Sequence, residues 1–466
     1  MPHSTAAALS IADLSGRFAG RVIAPDDADY DRARTVMYAG PDDRPAVIVR
    51  VANAADVAAV VALARESGLE LAVRSGGHSA AGHGTVDGGI VLDLTDMKGI
   101  DVDVDGRTVW AEAGLTAGEL TTAVAVNDLA IGFGDTGSVG IGGITVGGGV
   151  GYLVRKHGLT IDNLLAADVV TADGELLRAD ADSHPDLFWA IRGGGGNFGV
   201  VTRFQYALQH LDGVVGGMLI LPATPDVLAG FIALAEAAPE ELSTIANVMP
   251  CPPLPFVPEP EHGKLVVFAL MAFAGDNEAG QRALEPFRSL ATPLADLLRP
   301  IPYPEMYPPD NPDYHPVAAG RTMFLDRIDR DVAALIIERL EEHVRTTNAT
   351  MAVAQLRVLG GAMARVPADA TAFAHRSSRI LVNLAALVSD LAELPPHEPW
   401  LDAFAADLRQ EDQGAYVNFV ADEGAERIRE AYPGPTWDRL AQIKRRYDPT
   451  NLFHRNQNIP PATEAS

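Results

Sequence analysis

Three glycine-rich runs between residues 74 and 199 constrain this chain more than anything else in it. The first is Arg74-Ser75-Gly76-Gly77-His78-Ser79-Ala80-Ala81-Gly82-His83-Gly84. The second is Val139-Gly140-Ile141-Gly142-Gly143, continuing through Gly148, Gly149 and Gly151 to Tyr152, and the third runs from Arg192 to Asn197 and Gly199. Glycine has no Cβ, so such loops let backbone approach a ligand closely. Their successive N–H groups form concavities suited to phosphate. One run alone reads equally well as an ordinary turn. Three together predict one large phosphate-bearing cofactor held by several loops. His78 is the group in them best placed for covalent or acid–base chemistry, and His83 is a second histidine of the same loop.

The local pattern around the first run is β-α-β. Ala46–Val51 reads as a strand, and Asn53 caps a helix carrying Val57, Val60, Val61 and Leu63 at helical spacing, closed by Gly68. Leu71–Arg74 is the next strand and leads into the His78 loop, the end of a strand where α/β units place ligands. Ile90–Leu94 and Thr108–Ala113 read as further strands, and Thr116 with Glu119 forms a capping-box pattern. Leu165–Leu177 reads as a hairpin on Asp173-Gly174, and Val200–Tyr206 as a strand. A dinucleotide fingerprint at Gly140-Ile-Gly142 fails, because its sixth position is Thr145.

Beyond residue 207 the glycine runs stop. Helices are expected at Pro225–Ala238 and Asp331–Thr347, strands at Gly263–Phe273 and Ile380–Ala385, with Pro-rich loops at Pro250–Pro260 and Pro300–Pro316. Strands mixed with helices predict a separate α+β substrate domain. Residues 1–33 read as a short helix and a linker.

Composition narrows the function. A net charge of −26 argues against nucleic acid and against anionic membrane surfaces. The single cysteine, Cys251, excludes an intrachain disulfide. No metal-ligand spacing is evident. The first ten residues lack a secretion-signal pattern, and no apolar stretch reaches the ~18–20 residues of a membrane span. A cytoplasmic protein, monomer or homodimer, is expected.

The motifs R-S-G-G-H-S, V-G-x-G-G-x-x-x-G-G-G-x-G, R-K-H-G-L-T-I-D-N and G-G-G-G-N-F-G-V-V-T, with the closing segment Tyr447–Pro460, together resemble the berberine-bridge-enzyme-like oxidases. These belong to the vanillyl-alcohol oxidase/p-cresol methylhydroxylase superfamily. The resemblance implies a two-domain α+β fold, with FAD held by residues 1–206 and 411–466 and a substrate domain at 207–410. It implies a histidyl bond from His78 to the 8α carbon of FAD. Many relatives add a cysteinyl bond; here that position is Thr136, beside Gly137, so a single linkage is expected. This favours the 6-hydroxy-D-nicotine oxidase-like subset over bicovalent sugar oxidases. Val139 stands where a valine goes with oxidase behaviour. Asp162, Asn197, Val201, Asn456 and Asn458 fall on cofactor-side motif positions, as do the glycines named above.

Tyr416-Val-Asn418-Phe419 matches a motif beside flavin and substrate, but its final tyrosine is Phe419, and a second family tyrosine is Ala80. Neither can take a proton. Alcohol oxidation needs a base, whereas a neutral amine can give up hydride without one, so the donor is expected to be an amine or an already activated molecule. Tyr416, Asn418, Asn383 and Tyr307 are the candidate catalytic residues; Tyr303, Tyr314, His315, Arg321 and His375 are further candidates. The function implied is an FAD-dependent oxidase of a small amine, alcohol or secondary-metabolite intermediate, with O2 reduced to H2O2. A tailoring enzyme acting on a larger natural product and a flavin-bearing drug-binding protein are the alternatives.

Overall fold

The computed structural model describes residues 14, 16–40, 42–309, 311–347 and 350–463. Two sheets build the first half. In one, Arg21–Ile23, Val47–Arg50, Ile90–Asp93 and Leu71–Arg74 lie in that order, the last three mutually parallel. The helix Ala54–Ser67 crosses between two of these strands. Asn53 accepts from the Asp56 N–H at its start, and Gly68, at φ 68°, ends it. The second sheet is antiparallel, ordered Ile100–Asp103, Thr108–Glu112, Val200–Ala207, Leu164–Val170, Leu176–Asp180. The Thr116–Glu119 capping box forms and starts the helix Ala117–Ala125.

The second half is an eight-stranded antiparallel sheet, of which the sequence pattern had shown only two strands. Its inner order is Val214–Pro222, Leu265–Phe273, Leu242–Pro250, Met351–Val358, Ile380–Val388, Val317–Leu325. Side chains alternate across it. Val382, Leu384 and Ala386 join the core beneath the helices Pro225–Ala237, Arg330–Thr346 and Glu398–Leu408. Asn383, Ala385 and Leu387 face the first half.

Two local expectations are corrected. The second glycine run contains a helix, Ile141–Val146. Its start is held by tertiary contact with the first run, which outweighs the poor helix propensity of glycine. Of residues 1–33, numbers 1–13 and 15 lie outside the described residues. The remainder holds the strand Arg21–Ile23 and the start of the helix Tyr30–Arg34 rather than a linker. The C-terminal helix Pro435–Tyr447 then anchors on the third glycine run. Buried Lys444 donates to Asp448 Oδ2 (2.7 Å) and to the carbonyls of Asn197 and Phe453 (both 2.8 Å). Among the described residues no helix is long and apolar enough to cross a membrane.

Candidate functional site

A cavity of about 370 Å³ lies between the glycine runs and the inner face of the large sheet. Its floor is made by two glycine runs in contact. A Cβ on Gly76 would fall 2.1 Å from the Gly140 nitrogen, and one on Gly140 would fall 2.2 Å from that of Gly76. Ser75 staples the junction, donating to the Ala113 carbonyl (2.6 Å) and accepting from the Gly142 N–H (3.3 Å). Only glycine permits this approach. It brings His78, on the first loop, beside the Thr136–Gly143 segment.

The cavity wall includes, of the residues singled out from sequence, Arg74, Ser75, Gly76, Gly77, His78, Ser79, His83, Thr136, Val139, Gly140, Gly142, Gly143, Gly199, Val201, Asn383, Tyr416, Asn418 and Asn456. His83 is half-buried, and its desolvation, with the Arg455 charge adding to it, lowers its imidazole to about 4. It is therefore neutral at ordinary pH; its Nδ1 lies 3.4 Å from the Ser79 hydroxyl. The Tyr416 hydroxyl accepts from the Gly149 N–H and from Asn418 Nδ2, both at 2.9 Å. Burial raises it, so it keeps its own proton. Arg74 Nη2 is engaged by a buried ion pair with Asp93 (2.8 Å) and a bond to the Ala33 carbonyl (2.5 Å), while its Nη1 has no partner among the described residues.

The remaining sequence candidates stand off the wall. Asp162 is tied up in a two-bond ion pair with Arg376 and in the turn at Leu159. Asn197 is a bracket: its side chain joins the Gly194 and Gln457 carbonyls and the Ile459 N–H. Gly149 and Gly151 give close backbone packing instead, since a Cβ would strike the Thr160 hydroxyl at 1.9 Å and the Phe133 and Gly134 carbonyls at 2.5 Å. Gly148 faces the Tyr416 and Phe373 rings, and Gly137 packs on Tyr307. Tyr152 is buried against Tyr307. Tyr307 itself is paired with the Tyr303 hydroxyl (3.3 Å), and burial pushes it up to about 12. Asn458 lies behind the wall, its Oδ1 buried. Arg321 instead lines a second, charged cavity of about 560 Å³, paired with Asp402 (2.7 Å). His375 is buried against the Ala431 carbonyl.

The wall residues that sequence reasoning missed include four that carry charge or an aromatic ring. Tyr38 sits in a segment clamped between the halves: Met37 N–H donates to the Gly77 carbonyl and Ala39 N–H to that of Pro316, both at 3.0 Å. Asp135 and Arg357 form a 2.6 Å ion pair on the wall. Arg455 donates to the Thr85 carbonyl. The available signal was Arg357 itself, a charge within the otherwise uncharged strand Met351–Val358.

The wall fits a large polar cofactor. A Cβ on Gly143 or Gly196 would meet nothing within 4 Å, so backbone there is open to the cavity. Arg74 Nη1, Arg357 Nε and Asn456 Oδ1 are buried around it without a hydrogen-bond partner among the described residues. Buried polar atoms are normally paired, and a ligand rich in donors and acceptors would pair these. No group of three metal-ligating side chains occurs among the described residues.

Comparison with known proteins gives the same direction. Residues 45–180 match the family model described as an FAD binding domain, and residues 415–460 the model described as berberine and berberine like. The chain is 32% identical to (R)-6-hydroxynicotine oxidase of Paenarthrobacter nicotinovorans, over 95% of this chain and 97% of that one. It is 29% identical to an uncharacterized FAD-linked oxidoreductase of Bacillus subtilis, covering 96% and 98%. The crystal structure of 6-hydroxy-D-nicotine oxidase from Arthrobacter nicotinovorans superposes with a TM-score of 0.83 at 28% identity, covering 96% of this chain and 98% of that one. The two share the two-domain α+β architecture.

Proposed function

The chain belongs to the berberine-like FAD-linked oxidoreductases, and from that premise we propose that it is an oxidase of a small organic amine or alcohol, its FAD tethered through His78 alone. The observation that carries this reading is the junction of Gly76 with Gly140, which sets His78 and Thr136 on one cavity wall. Of those two positions only the imidazole can bond to a flavin. The open glycines Gly143 and Gly196 would lie along the cofactor, with Asn456 and Arg74 offering their unpaired atoms. Bound FAD supplies the two-electron acceptor for the donor's hydride and returns those electrons to O2, giving H2O2.

This chain's residues favour a small donor. Ala318, Gly320 and Ala385 leave a low apolar surface on the sheet, and Asn383 projects a hydrogen-bonding amide from it. Phe419 and Ala80 contribute no proton acceptor. Val139, short and branched, keeps that part of the wall open, in line with O2 as the acceptor.

The experiment is acid precipitation of the purified protein, followed by mapping of the flavin-bearing peptide and a peroxide screen over amines and alcohols. Flavin on the peptide containing His78, with peroxide released by a small donor, is the expected result. Flavin lost to the supernatant overturns the tether. A yellow protein that releases no peroxide with any amine or alcohol of the screen favours sequestration of a ligand over turnover.

A further inference from the structure

Asp135 is the only carboxylate on the wall of the central cavity among the described residues. Its Oδ2 accepts from Arg357 Nη2 at 2.6 Å. Its Oδ1 has one weak partner, the Thr136 hydroxyl at 3.3 Å. An ionised carboxylate has room for about four hydrogen bonds, so Oδ1 retains capacity toward the cavity.

Arg357, by contrast, is committed through both of its Nη atoms. The same Nη2 donates to Gln355 Oε1 (2.7 Å), Gln355 donates to Asn247 Oδ1 (3.0 Å), and Nη1 donates to the Val150 carbonyl (3.1 Å). The guanidinium also lies over the Phe419 ring, 4.9 Å from its centre. These bonds run from one strand of the large sheet to the next and on to the Asp135 loop. Arg357 cannot turn to meet a donor without breaking them, whereas Asp135 can accept from one without breaking any. The other cavity arginines are also paired, Arg74 with Asp93, and Arg455 with Asp43 and Glu70.

Tyr38 adds an aromatic ring to the same wall. Its hydroxyl is raised by burial and then by the Asp135 charge, so ring and carboxylate lie in each other's field. A carboxylate and an aromatic ring on one cavity wall suit an ammonium group, and partial burial strengthens the attraction.

Resting on the oxidase reading above, we propose that Asp135 anchors a basic amine of the donor, with Arg357 as its fixed counter-ion. The site then binds molecules bearing an ammonium group ahead of neutral alcohols of the same shape and well ahead of carboxylates.

The test titrates the yellow holoprotein with benzylamine, benzyl alcohol and benzoate, reading perturbation of the flavin absorbance. Wild type is expected to bind benzylamine most tightly and benzoate least. Asp135→Asn should weaken benzylamine about tenfold or more, the worth of one hydrogen bond to a charged group. It should also tighten benzoate, because Arg357 loses its counter-charge, and Asp135→Glu should keep the wild-type order. An unchanged order in Asp135→Asn, or no perturbation by any probe in either protein, overturns the inference. Should Asp135→Asn fail to accumulate, wild type alone decides: benzoate bound more tightly than benzylamine sinks it. A colourless protein fails the oxidase reading; a yellow one with the wrong probe order fails only this inference.

Discussion

Arg376 meets Asp162 through two parallel hydrogen bonds, Nη1 to Oδ2 and Nη2 to Oδ1, both 2.8 Å, across 214 residues of sequence. Both side chains are almost wholly buried, at 2% and 9% exposure. The pair ties the segment after the second glycine run to a loop between strands of the large sheet. It is a joint between the halves of the molecule. Removing one partner leaves a buried charge uncompensated, at a cost of about 3–5 kcal/mol. Asp162→Asn should lower the urea midpoint accordingly. The double variant Asp162→Asn, Arg376→Gln should recover part of the loss. A single variant as stable as wild type would refute the joint.

Two glycines of one run should respond oppositely to alanine. At Gly140 the new Cβ strikes the Gly76 backbone. Overpacking of that kind costs about 1–3 kcal/mol, and Gly140→Ala should melt earlier and hold less flavin. At Gly143, inside the helix Ile141–Val146, the Cβ meets nothing. Alanine is favoured over glycine in a helix by roughly 0.5–1 kcal/mol. Gly143→Ala should therefore be at least as stable without cofactor, yet load less of it. Thermal melts paired with flavin-to-protein absorbance ratios separate the two effects.

Tyr416→Phe removes the acceptor for both the Gly149 N–H and Asn418 Nδ2. Leaving buried donors unpaired costs about 1–3 kcal/mol. A loss of that size in denaturant unfolding, with looser flavin retention, is expected. If the hydroxyl instead served only the donor molecule, stability would not change.

Stability should fall as pH drops from 6.5 toward 4. Burial, first among the causes, lowers His83, His157 and His343 each to about 4 in the folded protein. The His397 ring, 2.8 Å away, adds to the effect at His343. Unfolded histidine titrates near about 6.5, so between those values the unfolded chain binds more protons. The stabilisation is complete above pH 6.5 and is lost as pH falls through that window. Melting temperatures measured across it should decline, and His343→Gln should flatten the decline. A melting temperature that rises on acidification in this range would contradict the burial argument.

Local chemistry was legible in the amino-acid order. Asn53 and Thr116 cap helices because a short polar side chain there reaches the free N–H groups of a first turn, whatever packs elsewhere. The glycine runs and His78 announced a cofactor because close backbone approach needs glycine and little else. The same runs marked Asp162, Asn197 and Gly149 as cofactor-side positions. Arg376, Ile459 and Thr160, which they meet, lie in other segments, and only folding reveals those contacts.

What the sequence by itself determined is therefore the local elements around the glycine runs, the cofactor class and the family, all properties carried by short contiguous stretches. What only the tertiary structure decided is which charges share the cavity. Asp135 and Arg357 stand 222 residues apart and meet because strand alternation turns Arg357 off the helix-packed face of its sheet toward the loop after Gly134. Ion pairing depends on a few ångströms between distant segments, and nothing in the local sequence of either residue encodes that distance.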